Sequence, residues 1–143
     1  MSVIVRDVGG WRGPADDRVV LRADERRVRR KRLVAQGGTE VMLDFEHART
    51  LHSGEALETD GRLVEIVGAE EPLLALTVAG RLTLAELAWH LGNRHLAAQI
   101  ETDRILVARD PVIRRMVEGL GAEVEEIEEA FDPVHGAYHD HER

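Results

Sequence analysis

Cysteine is absent from this chain of 143 residues, so no disulfide can staple it and no thiolate can ligate a metal or attack a substrate. Aromatic residues are nearly absent too. Two Trp, two Phe and one Tyr are too few for a platform on which nucleic-acid bases could stack. The formal net charge of −8 opposes phosphate binding for the same class of partner. No apolar run approaches the roughly 20 residues that a membrane-spanning helix needs. The opening MSVIVRDVGGW lacks a basic stretch followed by a long apolar segment, so no signal peptide is expected and the cytoplasm is the expected compartment. Neither H-E-x-x-H, nor a phosphate-binding G-x-x-x-x-G-K-[ST], nor G-x-S-x-G occurs, and an enzyme is not expected.

What is present suffices for folded cores. Hydrophobic residues make up 43% of the chain, which fits one ordinary domain or two very small ones. Charge is unevenly spread: residues 22–32 carry seven basic side chains, and residues 118–132 carry seven acidic ones and no basic one. Such a split reads first as two solvated faces. A basic run docking an acidic partner is the functional alternative.

The expected architecture is α+β, with a small N-terminal all-β domain over residues 1–71 as a partner- or peptide-binding module. A ferredoxin-like βαββαβ domain over 72–133 is expected to bind metal, and 134–143 to form a flexible, histidine-containing tail. In the first part, branched aliphatics at 28–34, the Gly37-Gly38 turn, the alternation at 41–45 and the Thr59-Asp60-Gly61 turn before 62–67 all read as short strands. A basic run along such a strand also blocks edge-to-edge aggregation. A polar stretch ending in Pro72 marks the boundary.

Beyond it, 73–78 reads as a buried strand, and TLAE at 83–86 is a capping box. The following helix places Leu84, Leu87, Ala88 and Leu91 on one face. Thr102-Asp103 is a tight turn between two strands. Asp110-Pro111 starts a second helix whose stripe is Val112, Ile113, Met116, Val117 and Leu120, with Gly121 at its end. Residues 122–127 are a last strand. The remainder from about Phe131 reads as a mobile tail.

Of the seven histidines, His47 and His52 read as solvated side chains in or near a loop of the β domain. His90 and His95 lie in the first helix and at its end. Five positions correspond to roughly 500° of rotation, about 140° between the two directions, so they cannot readily grip one ion together. If the helix runs past Gly92, His95 follows Leu87 and Leu91 at spacings of four and extends an apolar stripe. Spacing then leaves two readings: a core histidine with a satisfied ring nitrogen, or a ligand at a face shared with a second subunit. A two-fold axis would pair His95 with its symmetry mate, and further ligands would have to come from elsewhere. The tail offers His135, His139 and His141. Imidazole suits nickel, copper and zinc. The adjacent pairs Glu125-Glu126 and Glu128-Glu129 point in diverging directions and read as a solvated acidic face rather than a catalytic pair.

Together HLGNRH at 90–95, QIETDRILV at 99–107, the segment from Asp110 to Pro133 and GAYHDH at 136–141 resemble the UreE family of urease accessory proteins. RVRRKRL at 27–33, LDF at 43–45 and TDGRLVEI at 59–66 carry the same resemblance, which covers about 19–141. It implies a homodimeric nickel metallochaperone of urease maturation, with His95 as the ligand at the dimer interface and His139, His141 and His135 contributing further binding. The implied cargo is Ni2+, with Zn2+ or Cu2+ suited to the same ligands. The implied partners are the GTP-hydrolysing urease accessory protein and the urease activation complex, with no nucleic acid and no membrane. Some members carry two histidines just before the second helix; Arg109 and Asp110 stand there in this chain. His90 resembles a recurring residue of the motif, and its geometry gives it a structural or supporting role. A metal-independent interaction module and a general buffer for zinc, copper and nickel are the alternative readings.

Overall fold

The computed structural model describes residues 4–6 and 14–134. The chain divides into two compact units, Met1–Ala69 and Glu70–Arg143.

The N-terminal unit is built of strands β1 (Ile4–Arg6), β2 (Asp17–Leu21), β3 (Arg27–Val34), β4 (Glu40–Thr50), β5 (Ala56–Thr59) and β6 (Arg62–Gly68). One sheet has the order β1-β5-β6-β2, with β2 parallel to β6, and β3 pairs with β4 as a separate ribbon. Asp60 and Gly61 join β5 to β6 with φ of 50° and 77°. Positive φ at both positions is what a two-residue type I′ hairpin requires. On β3, Val28 and Leu33 are both buried although five apart, a spacing that puts them on opposite faces of a regular strand. The register shifts between Val28 and Arg30, where two steps on β3 face five on β4, and both Val28 and Leu33 lie in the core with Val19, Leu21, Val41, Leu43, Leu57, Val64 and Ile66. His47, expected in or near a loop, is exposed on β4 instead.

Asp17 organises the turn between β3 and β4. Its carboxylate accepts from the backbone amides of Gly37 (2.7 Å), Thr39 (3.1 Å) and Arg18 (2.8 Å). Hydrogen bonding from the Thr39 side chain, then from those amides, holds its pKa well below the usual carboxylate range. The depressed folded value means that Asp17 stabilises the unit above its unfolded value of about 3.9, and that this stability is lost as pH falls toward the folded value. In Asp17→Asn, the urea midpoint of the N-terminal unit should fall at neutral pH and depend less on pH below about 4. An unchanged acid limb in Asp17→Asn would show that other carboxylates set it.

The second unit contains β7 (Glu70–Val78), α1 (Leu84–Asn93), β8 (Gln99–Ile100), β9 (Ile105–Ala108), α2 (Pro111–Leu120) and β10 (Ala122–Ala130). Its antiparallel sheet has the order β10-β7-β9-β8, that is fourth, first, third and second strand, the arrangement of the ferredoxin-like βαββαβ unit. Leu74 and Leu76 of β7, Ile105 and Val107 of β9, Leu87 and Leu91 of α1 and Val117 of α2 form its core.

Three features depart from the sequence reading. Strand β7 already begins at Glu70 and contains Pro72. The Pro72 carbonyl accepts from the Arg109 amide, beyond the end of the β9 pairing, so its nitrogen points to that side and its missing N–H removes no bond to β10. Val112 is 65% exposed rather than part of the α2 stripe, because the 3.6-residue repeat through Ile113, Met116, Val117 and Leu120 leaves it one position off. Phe131, taken as the start of a mobile tail, is buried.

Candidate metal-binding site

Helix α1 starts at a reciprocal capping box. The Thr83 hydroxyl accepts from the Glu86 amide at 3.0 Å, and the Glu86 carboxylate accepts from the Thr83 amide at 3.1 Å. Leu87 and Leu91 are fully buried and hold the helix on the sheet. The helix then ends at Asn93, two residues before His95. The Leu96 amide donates to the Leu91 carbonyl at 3.1 Å, and the His95 amide to the Gly92 carbonyl at 3.0 Å. These two bonds define a Schellman closure with His95 at its left-handed position. His95 has φ of 58°, in a place where glycine is the ordinary occupant.

The condition under which His95 would extend the stripe, a helix running on to that residue, is therefore not met. His95 leaves the apolar stripe, and its side chain is exposed. A core histidine is excluded by that exposure. His90 remains on α1, half-buried, with its ring edge-on to Trp89 at 5.1 Å between centroids. Its carbonyl accepts from the Arg94 guanidinium at 3.2 Å.

Among the described residues, no group of three or more His, Asp or Glu side chains is arranged to hold a metal ion. His135, His139 and His141 lie outside the described residues, but the chain leading to them is placed. Val134 and Ala98 exchange both backbone bonds, at 2.8 and 2.9 Å, in an isolated antiparallel bridge. The Asp132 amide donates to the Gln99 side chain at 2.8 Å. The root of the tail is thus pinned three residues from His95 in sequence. Sequence periodicity could not show this, because a single bridge between residues 36 apart leaves no pattern.

The charged runs lie on solvated faces, as read from the sequence, and their side chains pair there. On β3, Arg30 pairs with Asp44 at 3.2 Å and Arg32 with Glu40. On β10, Glu126 receives Arg114 of α2 at 3.2 Å, and Glu129 receives both terminal nitrogens of Arg104 at 2.9 and 3.2 Å. The Arg104 guanidinium lowers the pKa of the Glu129 carboxyl, and hydrogen bonds to Glu129 and Glu101 raise that of Arg104. Arg109 donates to the backbone carbonyls of Leu73 and Ile127, at 3.4 and 2.8 Å. It thus ties β7 to β10.

An all-β unit thus precedes a ferredoxin-like unit that carries an exposed histidine just past a helix end. Models of the UreE urease accessory protein match both units, the N-terminal domain over residues 4–69 and the C-terminal domain over 71–143. Urease accessory proteins UreE of Rhizobium rhizogenes and Agrobacterium fabrum are 54% and 52% identical to it, over 87% and 86% of this chain and 75% and 77% of theirs. That of Sinorhizobium fredii is 52% identical over 89% of this chain and 83% of its own length. The chain belongs to the UreE family of urease accessory proteins, and as an accessory chaperone it is not an enzyme. No helix among the described residues is long and apolar enough to cross a membrane.

Proposed function

We propose that this chain is a nickel metallochaperone of urease maturation. It works as a homodimer that holds Ni2+ between the His95 side chains of its two copies. The observation that carries this reading is His95 itself: an exposed imidazole on a left-handed turn, beside the bridged root of a histidine-bearing tail.

One imidazole per chain is an incomplete ligand set. A two-fold axis doubles it, because an isologous contact brings the same patch of both copies together. Three large apolar side chains of this segment and its bridge partner are available for such a contact: Trp89, Ile100 and Val134 are 66, 53 and 59% exposed. The tail supplies the rest. At about 3.3–3.6 Å per residue, His139 can lie as far as roughly 17 Å from Val134, and His95 lies within roughly 11 Å of Ala98 along the chain. His139 and His141 therefore reach His95, and His135 has the shortest span.

Neutral imidazoles and the absence of thiolates suit Ni2+, and Zn2+ and Cu2+ occupy the same ligands. Ligands on a chain end can detach one at a time and be replaced by those of a recipient, so transfer need not pass through a bare ion. The recipients in this reading are the GTP-hydrolysing accessory protein and the urease activation complex, in the cytoplasm.

Calorimetric nickel titration of a chain lacking residues 135–143 tests the reading. The affinity should fall about tenfold while the dimer persists. Undiminished binding would remove the tail from the ligand set, and a monomer at micromolar concentration would refute the shared site.

A further inference from the structure

The described chain does not end loosely after β10. Beyond Ala130, the last residue of β10, it leaves one edge of the four-stranded sheet and by Val134 is bonded to Ala98, beside the opposite edge strand β8. The crossing takes only the three residues Phe131, Asp132 and Pro133. Phe131 is buried along it.

A continuous polar chain fastens both ends of that crossing. The Asp132 amide donates to Gln99 Oε1 at 2.8 Å, and Gln99 Nε2 donates to Glu101 Oε2 at 2.8 Å. Arg104 Nε donates to Glu101 Oε1 at 2.8 Å, and its two terminal nitrogens grip both oxygens of Glu129. A two-pronged arginine–carboxylate pair fixes orientation as well as distance. The link between Glu101 and Arg104 closes the β8–β9 turn, where the Glu101 amide also donates to the Arg104 carbonyl at 2.9 Å. None of these four side chains is a histidine, and neither their spacing nor the fold requires the bonds to continue to Asp132.

We propose that Gln99, Glu101, Arg104 and Glu129 are positioning residues that set where the tail starts relative to His95. The inference rests on the nickel-carrier reading above. A tail released at Ala130 instead of Val134 gains about four residues of slack. Its histidines then sample a larger volume, and their effective concentration at His95 falls. The network acts on metal only through the tail.

That last property makes the proposal testable by a cycle. Nickel affinity is measured by calorimetry in the full chain, in Arg104→Gln, and in both again with His135→Ala, His139→Ala and His141→Ala. With the tail histidines present, Arg104→Gln should weaken binding by about three- to tenfold. Without them it should change nothing. Equal losses in both backgrounds would show that the network merely supports the His95 turn, and no loss in either would remove its role altogether. If removing the three tail histidines leaves the parent unchanged, the ligand role of the tail fails first, and the positioning role with it. If binding depends on the tail but Arg104→Gln is silent, only the positioning role fails.

A metal-free readout accompanies the cycle. The chain has no cysteine, so Asn93→Cys and Val134→Cys, both at exposed positions, accept spin labels uniquely. The distance distribution between them should be narrow in the parent and broaden in Arg104→Gln. Gln99→Ala, which leaves the Arg104–Glu129 pair intact, should broaden it too, and serves where Arg104→Gln does not fold. An unchanged distribution in a folded variant would overturn the proposal.

Discussion

Replacing His95 with glycine is expected to weaken nickel binding by at least about tenfold while leaving the C-terminal unit as stable as before or slightly more so. The two effects separate because they come from different parts of the residue. An L-residue in the left-handed region costs about 1–2 kcal/mol, and His95 stands there with φ of 58°. Glycine takes the same backbone without that cost, offset by the roughly 0.5–1 kcal/mol it loses through a freer unfolded chain. The net change should lie between zero and about +1.5 kcal/mol. His95→Ala keeps the strain and loses the ring, so it should bind nickel as poorly as the glycine variant but melt lower. Backbone strain at one exposed side chain points to a role for that side chain. Loss of more than about 1 kcal/mol in His95→Gly would instead make the imidazole a structural residue.

The same turn explains what the sequence made legible and what it hid. The βαββαβ order was readable because each element carries its own signal: the TLAE box, the Asp110-Pro111 start and the paired leucines of α1 all sit where those patterns place them. The end of α1 was not readable. A Schellman closure is recognised by glycine at its left-handed position, and here that position holds histidine while Gly92 lies inside the helix. Counting on from Leu91 put His95 on a buried stripe that stops before reaching it. In the N-terminal unit, the register shift between β3 and β4 breaks the alternation that identifies a strand face, and β5 is only four residues long. Residues 17–21 form a strand whose first residue, Asp17, serves the neighbouring turn rather than the core. The clamp of Gln99, Arg104 and Glu129 was hidden for a different reason. It joins residues 25 or more apart from elements that are not neighbours in the sheet, and no local pattern marks such contacts.

Leu91 is where stability and site meet, and Leu91→Ala should show both. The side chain is fully buried against the sheet, and removal of such a leucine costs about 2–5 kcal/mol. For a unit of this size that corresponds to a fall in melting temperature of more than about 10 °C. Leu87 is equally buried one turn earlier, and Leu87→Ala should destabilise to a similar degree. The two differ at the helix end. Leu91 supplies the carbonyl that accepts from the Leu96 amide, and both side chains pack in the same core cluster, the apolar contact that accompanies this closure. Truncating Leu91 removes that contact, and the left-handed conformation of His95 then lacks one of the restraints that hold it. At a temperature where both variants remain folded, Leu91→Ala should weaken nickel binding several-fold more than Leu87→Ala. Equal affinities would mean that the backbone bonds alone hold the turn. A loss below about 1 kcal/mol in Leu91→Ala would contradict the packing itself.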